Sequence, residues 1–276
     1  MDKAKLKKYL VPALIAVFAI GFLVSAGMLI KYFVQSKKTG DQYGELADLV
    51  QQQQTTPDSN KNSPNKPALP AVVEITHPTT GQQIKILREY ATLFQMNPDL
   101  AGWIRIEGTK VDYPVMHTPD RGSYYLLRDF YGKDNNHGCI YAYATSDVFT
   151  PSDNVTIGGH NMRDDSMFGT LHNYNDPEFC KEHPYITFDT IFEHHTYEII
   201  SVFYTTDYLE TGFAYHWFVN GTEEEFNEFV ATAKSLSLYD IEATATYGDK
   251  LITLSTCDDD YVDSHGRFAI VAKRIS

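Results

Sequence analysis

The sequence predicts a mainly β domain, a barrel or a sandwich, behind an N-terminal membrane segment. Nine short runs rich in Tyr, Ile, Val and Phe are separated by Gly, Asp and Asn, and one clear helix interrupts them. A stretch of 22 residues without charge, Tyr9–Ile30, precedes them all. Many short strands with few helices are typical of closed or stacked sheets and argue against a doubly wound α/β fold.

The N-terminal segment is long enough to cross a membrane. A helix needs about 20 apolar residues to span a bilayer, and the charge-free stretch has 22. Four lysines precede it and three follow, so the basic charge favours a cytoplasmic N-terminus by a narrow margin. We therefore predict a cytoplasmic N-terminus and a signal anchor over residues 1–38. Val24-Ser25-Ala26 leaves a cleaved signal peptide as the alternative.

Residues 39–80 are predicted to be a flexible linker, and residues 81–276 a folded domain. Four prolines between residues 57 and 70 stand among Asn, Ser and Lys, and this stretch has too little apolar content to order itself. Residues 1–40 have a net charge of +6, whereas the other 236 residues carry −19. An acidic domain lacks the basic face that nucleic-acid binding needs, so we exclude nucleic acid as a partner.

Within the folded domain the pattern predicts an early helix, nine strands and a later helix. Apolar residues from Ile84 to Phe94 fall at helical spacing, and Asn97-Pro98 ends that helix. Thr222 followed by Glu225 three positions on is a capping box, so the later helix begins there. The strands are predicted at Trp103–Ile106, Val111–Val115, Tyr124–Leu127, Cys139–Tyr143, Val155–Ile157, Tyr185–Phe188, Tyr197–Tyr204, Lys250–Cys257 and Arg267–Arg274.

Reactive side chains stand at the ends of three predicted strands. One strand ends in Cys257, and the next begins at Arg267, ten positions on. If these strands pair antiparallel, the two residues are neighbours across the ladder. Upstream, a strand runs through two glycines onto His160. Each residue alone has an ordinary structural explanation, but together they supply a nucleophile, an acid/base and a cationic donor for an oxyanion.

These residues and their order resemble the sortases, the cysteine transpeptidases of Gram-positive cell envelopes. The chain has Gly159-His160-Asn161-Met162, then TLSTC ending at Cys257, 97 positions after the histidine, and then Arg267. The resemblance covers residues 85–276, and the Asn97-Pro98-Asp99 segment and the serine of TLSTC look most like class B. One departure is visible: class B members commonly have Tyr-Gly-His, whereas this chain has Gly158 before Gly159 and His160.

The resemblance implies a fold and a set of site residues. The fold would be a closed β-barrel with N-terminal helices and a helix before the cysteine strand, and residues 81–276 would be the catalytic domain. Cys257 would be the nucleophile, His160 the acid/base, and Arg267 the clamp on oxyanion and substrate. Ser255, on the same strand face as the cysteine, and Asp258, directly after it, are expected to contact substrate. The family chemistry needs no metal and no cofactor.

The implied reaction joins secreted proteins to amines outside the cell. Cys257 would cleave an NPxTN-like C-terminal sorting motif through a thioester, and an amine of peptidoglycan, of a lipid-linked precursor or of a pilin lysine would take the acyl group. The implied location is the cell membrane, single-pass, with an extracellular catalytic domain facing the cell wall. A surface cysteine hydrolase, a pilin-polymerising sortase and an anchored adhesin that only binds remain as alternatives.

Other residues able to carry chemistry are assigned structural roles. Cys139 and Cys180 are expected to be buried apolar positions, with a disulfide between them as the alternative outside the cell. His183 and His194-His195 lack the spacing of zinc sites. The aspartates of the 258–263 loop lack the EF-hand spacing, which favours a solvated loop. We therefore expect no metal site.

Overall fold

The computed structural model describes residues 3–54, 70–206, 212–258 and 265–276. The chain divides into two compact units, residues 1–44 and residues 45–276. Among the described residues one helix is long and apolar enough to cross a membrane, and its most apolar 18-residue window has a mean hydropathy of 2.6 with no part of it buried. The predicted anchor segment is therefore helical and apolar.

The helices and strands of the described residues run in the following order. The helices are α1 (Lys3–Gln54), α2 (Arg88–Met96), α3 (Pro177–Glu182) and α4 (Glu223–Leu236), with 3₁₀ turns η1 (Tyr124–Leu127), η2 (Gly169–Asn175) and η3 (Tyr215–Trp217). The strands are β1 (Val72–Thr76), β2 (Gln83–Leu87), β3 (Leu100–Arg105), β4 (Asp112–His117), β5 (Ile140–Ala142), β6 (Asn154–Gly158), β7 (Tyr185–Thr190), β8 (Thr196–Thr206), β9 (Leu251–Cys257) and β10 (Gly266–Arg274).

Eight of these strands close into a barrel, which confirms the predicted fold class. The order around the barrel is β10-β8-β7-β3-β4-β5-β6-β9. The pairs β4–β5 and β6–β9 are parallel, and the other pairs are antiparallel. Because β6 pairs with β9 and β9 pairs with β10, the sequence-distant β6 lies beside the two consecutive strands β9 and β10.

The helix α4 covers one outer face of the barrel and creates a second core there. Thr222 forms the predicted capping box with Glu225, each contributing a side chain to the other's main-chain N–H. Phe226, Phe229 and Ala233 of α4 pack in one buried cluster with residues of β8, β9 and β10. These strands are therefore buried on both faces, which explains why every residue of β9 before Cys257 is buried.

The predicted early helix is wrong in its first half. Residues Gln83–Leu87 form β2, which pairs antiparallel with β1 in a separate two-stranded sheet, and the helix begins only at Arg88. Ile84 and Ile86 alternate along β2, so the apolar positions that fit a helix also fit a strand. The predicted end of the helix at Asn97 is confirmed.

A second difference concerns Tyr124–Leu127, which was expected to be a strand and forms the 3₁₀ turn η1. A run of four apolar residues is too short for periodicity to separate the two structures. The turn leaves main-chain carbonyls at its end without a partner inside the turn, and the carbonyl of Leu126 is used in the site described below.

The predicted linker over residues 39–80 contains secondary structure at both ends. Helix α1 continues to Gln54, and Leu46 and Val50, which lie four positions apart on one helix face, are buried. At the other end β1 begins at Val72. The proline-rich residues 55–69 lie outside the described residues, and the division at residues 38 and 80 stays a prediction.

Candidate active site

Cys257 and Arg267 face each other across the β9–β10 ladder, as the sequence predicts. The main-chain N–H of Asp258 donates to the carbonyl of Gly266 at 3.0 Å. Cys257 and Arg267 are therefore a non-hydrogen-bonded pair, the kind whose side chains lie closer together. Both are half-buried, and Nη1 of Arg267 donates to the Gly266 carbonyl at 2.8 Å, which holds the guanidinium at the start of its strand.

His160 follows β6, the strand on the other side of β9, and lies at the same end of the strands as Cys257. In the parallel pairing, Gly158 is in register with Ser255. The pairing continues past the end of β6, because the N–H of Gly159 donates to the Ser255 carbonyl at 3.2 Å and the Thr256 hydroxyl donates to the Gly159 carbonyl at 2.9 Å. His160 is the next residue, so it stands beside Cys257 at the open end of the strands.

The ring of His160 is held by the 3₁₀ turn η1. Its Nε2 lies 2.7 Å from the main-chain carbonyl of Leu126. A carbonyl can only accept, so Nε2 carries the proton and donates. In the neutral ring Nδ1 is then the acceptor, which makes it the atom able to take up or release a proton during a reaction.

Ser255 and Asp258, the two expected substrate contacts, are both buried. Ser255 is 2% exposed, and its hydroxyl lies 2.5 Å from the hydroxyl of Tyr215. Tyr215 is itself only 1% exposed, so the hydroxyl of Ser255 is enclosed by protein. Asp258 is 7% exposed. Asp259, Asp260 and Asp263, the rest of the predicted acidic loop, lie outside the described residues.

Two tyrosines of the β5 region cover Gly158, where class B members commonly have a tyrosine of their own. Tyr141 is paired with Gly158, and the rings of Tyr141 and Tyr143 stack with centroids 5.7 Å apart and planes 6° apart. A Cβ at position 158 would lie 2.8 Å from Tyr143 Cε1 and 3.3 Å from Tyr141 Cζ. The glycine thus makes room for rings that come from the neighbouring strand.

The phenol of Tyr141 lies within electrostatic range of the reactive residues. Burial raises its pKa, and the nearby Tyr143 and Cys257 raise it further. Arg267 acts in the opposite direction. A phenol whose pKa stands above its ordinary value stays protonated at neutral pH, so Tyr141 presents an O–H donor to this region.

Sequence reasoning missed a second histidine at the site. His172, on η2, has Nε2 at 3.2 Å from the main-chain carbonyl of Cys257. Its ring stacks on Phe268 with centroids 4.8 Å apart and planes 25° apart. No sequence motif marks this residue, because the contact joins two segments 85 positions apart.

The remaining candidates have structural partners. The three cysteines, all within the described residues, form no disulfide, so the Cys139–Cys180 alternative is not realised. Both residues are buried, as expected, and burial raises the pKa of the Cys180 thiol. His183 Nδ1 lies 2.8 Å from the Glu107 carbonyl, and His194 lies between carboxylates of two other residues. Within the described parts of the chain, no three His, Cys, Asp or Glu side chains are grouped to hold a metal.

The sequence is similar to a known family over most of the folded unit. Residues 104–275 match the family model described as the sortase domain. Sortase B of Listeria monocytogenes is 31% identical over 202 residues, which cover 72% of this chain and 78% of that protein. Sortase B of Staphylococcus aureus is 28% identical over 190 residues, which cover 68% and 75% of the two chains.

Solved structures agree with these relatives. The crystal structure of sortase B from B. anthracis superposes with a TM-score of 0.68 at 28% identity and covers 88% of this chain and 99% of that chain. The structure of Clostridium perfringens sortase B gives a TM-score of 0.61 at 28% identity, covering 67% and 98%. The eight-stranded barrel, the family-model match over more than half the chain and these class B relatives lead to one conclusion: the chain belongs to the sortase family, in class B.

Proposed function

We propose that this class B sortase cleaves a C-terminal sorting motif through a thioester on Cys257 and transfers the acyl group to an amine. One observation carries the proposal: Arg267 is paired with Cys257 on one neighbour of β9, and His160 follows two residues after the end of the other neighbour, at the same end of these strands. A nucleophile flanked by an acid/base and a fixed cation is the arrangement that acyl transfer needs.

In the first half-reaction, Cys257 attacks the carbonyl carbon of the motif's threonine. The thiol proton passes to Nδ1 of His160, since Nε2 is engaged by the Leu126 carbonyl. Negative charge develops on the former carbonyl oxygen, where the guanidinium of Arg267 stabilises it. The tetrahedral intermediate collapses, the C–N bond breaks, and His160 returns its proton to the leaving amine.

In the second half-reaction, an amine attacks the thioester. His160 removes the proton from the attacking nitrogen, Arg267 again faces the oxyanion, and the thiolate of Cys257 leaves and regains a proton. The acceptor in our proposal is an amine of peptidoglycan or of its lipid-linked precursor. A pilin lysine is the alternative acceptor, and water in place of the amine would make the protein a hydrolase.

Further side chains line the region where the substrate would lie. Tyr141 supplies a protonated phenol beside Cys257 and Arg267. Ser255 stays the proposed substrate contact two positions before Cys257, and in this structure its hydroxyl contacts that of the buried Tyr215. Asp258 follows the nucleophile directly and is proposed to shape the end of the groove. We propose an NPxTN-like motif because the class implies it.

The function is tested with the full chain in detergent, a fluorogenic NPxTN-like peptide and triglycine as the amine. We expect peptide cleavage, and mass spectrometry should show the peptide fragment joined to triglycine. Cys257→Ala should abolish both products. The matched variant Cys139→Ala, at the buried position immediately before β5, should keep them. Circular dichroism controls for folding. A hydrolysed fragment in place of the triglycine adduct, at saturating amine, would contradict transpeptidation.

We also propose that residues 1–38 anchor the protein in the membrane by a single pass, with the folded domain outside. The apolar part of α1 supports this proposal, since it is long enough to cross a bilayer. Deleting residues 1–38 should release the protein from the membrane fraction and change peptide kcat/KM by less than about twofold, because the folded unit has its own core. Cell fractionation and sequencing of the mature N-terminus provide the measurement. A mature chain that starts at Gly27 would show a cleaved signal peptide instead.

A further inference from the structure

The main-chain carbonyl of Cys257 faces away from β10. In a non-hydrogen-bonded pair of an antiparallel ladder, the main-chain groups of both residues point outward from the pair. Cys257 and Arg267 form such a pair, because the flanking N–H of Asp258 is the one that donates to Gly266. On the outward side β6 has already ended at Gly158. The carbonyl of the nucleophile therefore needs a partner from another element.

His172 is that partner. Its Nε2 lies 3.2 Å from the Cys257 carbonyl, which can only accept, so the ring donates. The other ring nitrogen, Nδ1, lies 3.5 Å from the hydroxyl of Tyr204. Both nitrogens thus face protein groups, which distinguishes this ring from His160, whose Nδ1 remains for proton exchange. His172 is therefore suited to holding Cys257 in place and not to acid–base chemistry.

The same ring also contacts the strand that carries Arg267. Phe268, the next residue on β10, stacks against His172 with centroids 4.8 Å apart. Tyr204, on β8, is in register with Phe268. The two rings meet edge-on with their centroids 4.9 Å apart. One imidazole thereby links the last residue of β9 by a hydrogen bond and the start of β10 by ring stacking.

We propose that His172 is a positioning residue that aligns Cys257 with Arg267 for acyl transfer, an inference that rests on the proposed function. Reaction rates depend steeply on such alignment, since a displacement of about 1 Å can cost about a hundredfold in rate. The hydrogen bond fixes the main chain of Cys257. The ring stack fixes Phe268, the residue that follows Arg267 on β10. Loss of the hydrogen bond alone should leave the fold and the thiol intact while the acyl-transfer geometry relaxes.

Two substitutions separate the hydrogen bond from the stack. His172→Phe keeps an aromatic ring against Phe268 and removes the donor. His172→Gln keeps an N–H near the place of Nε2 and removes the ring. Asn173→Ala, at an exposed neighbouring position on the same 3₁₀ turn, is the matched control. The readouts are kcat and KM for the sorting peptide, the thermal midpoint, and the rate at which iodoacetamide alkylates Cys257.

We expect His172→Phe to lower kcat about tenfold, the size of one hydrogen bond to a neutral partner, with KM little changed. The thermal midpoint should fall by no more than about 2–4 °C, the cost of one lost hydrogen bond in a domain of this size, and the alkylation rate should stay near wild type, because it does not depend on the alignment with Arg267. His172→Gln should recover most of kcat. Wild-type kcat in His172→Phe, equal losses in both variants, or a kcat loss that follows the thermal midpoint would overturn the inference. A wild-type protein that is alkylated but cleaves no sorting peptide would instead overturn the proposed function.

Discussion

Cys257 is the last residue of β9, and the two strands beside β9 run in opposite directions. These two strands position Arg267 and His160 in different ways. On one side β10 runs antiparallel, and Arg267 is fixed by ladder register directly opposite the cysteine. On the other side β6 runs parallel and ends two residues before His160. The histidine is then held by a carbonyl of η1, a segment 34 positions away.

The difference shows which parts of such a site depend on local sequence. A hairpin carries its own register, so a residue at its open end is placed by the strands alone. A residue beyond a parallel strand needs help from elsewhere in the fold. The position of His160 on the β6 side therefore depends on a distant segment, whereas the position of Arg267 on the β10 side is set by strand register alone.

The largest effect is expected on the β6 side, at His160. His160→Gln keeps an N–H for the Leu126 carbonyl but has no base in place of Nδ1. We expect kcat to fall about 100- to 10,000-fold, the usual contribution of general acid–base catalysis, with the thermal midpoint unchanged. Peptide turnover and differential scanning calorimetry measure the two quantities. A kcat within tenfold of wild type would remove His160 from the proposed mechanism.

On the β10 side, Arg267→Lys keeps the charge but loses the planar fork of donors. We expect kcat to fall about a hundredfold or more, equivalent to about 3–4 kcal/mol of transition-state stabilisation, with KM affected less. If Arg267 only balanced the acidic loop after Cys257, the exchange would cost about 0–1 kcal/mol. Steady-state kinetics with the sorting peptide distinguish the two, and near wild-type kcat would contradict the catalytic role.

A smaller effect on stability and KM is expected at Gly158, the residue of β6 that pairs with Tyr141 of β5. In Gly158→Ala the new Cβ would lie 2.8 Å from Tyr143 Cε1, so the tyrosine ring must shift. Such overpacking costs about 1–3 kcal/mol, which should lower the thermal midpoint by several degrees and change peptide KM a few-fold. In a Tyr143→Ala background, which has its own stability cost, Gly158→Ala should lower the midpoint by less than it does in the wild type, because the contact is gone. Equal midpoints for Gly158→Ala and wild type would show that the stacked rings do not depend on this glycine.

The comparison also separates what the sequence could predict from what it could not. The pairing of Cys257 with Arg267 follows from two adjacent apolar runs and the polar loop between them, and α4 follows from the capping box at Thr222 and Glu225. Both signals are contained within short stretches of chain. Family resemblance added His160 and the closure of the barrel, which no local pattern specifies.

The features that were missed all depend on partners outside the segment itself. The apolar residues of Gln83–Leu87 fit a helix until β1 is present to pair with them. Tyr124–Leu127 is a turn because of its surroundings, and its Leu126 carbonyl gains its role from His160. His172 has no motif, since only the folded chain brings its ring to Cys257. Tertiary contacts decide these positions, and single-sequence periodicity does not contain them.

The parallel pairing of β6 with β9 has a consequence for when activity arises. Its partners, such as Ile157 and Leu254, are 97 positions apart in the sequence, so this contact can form only after a long segment of chain has been closed. A nascent or translocating chain therefore has a cysteine and a histidine but no assembled pair. If Cys257 and His160 act as proposed, activity begins only once this long-range pairing has formed, which separates synthesis from reactivity in time.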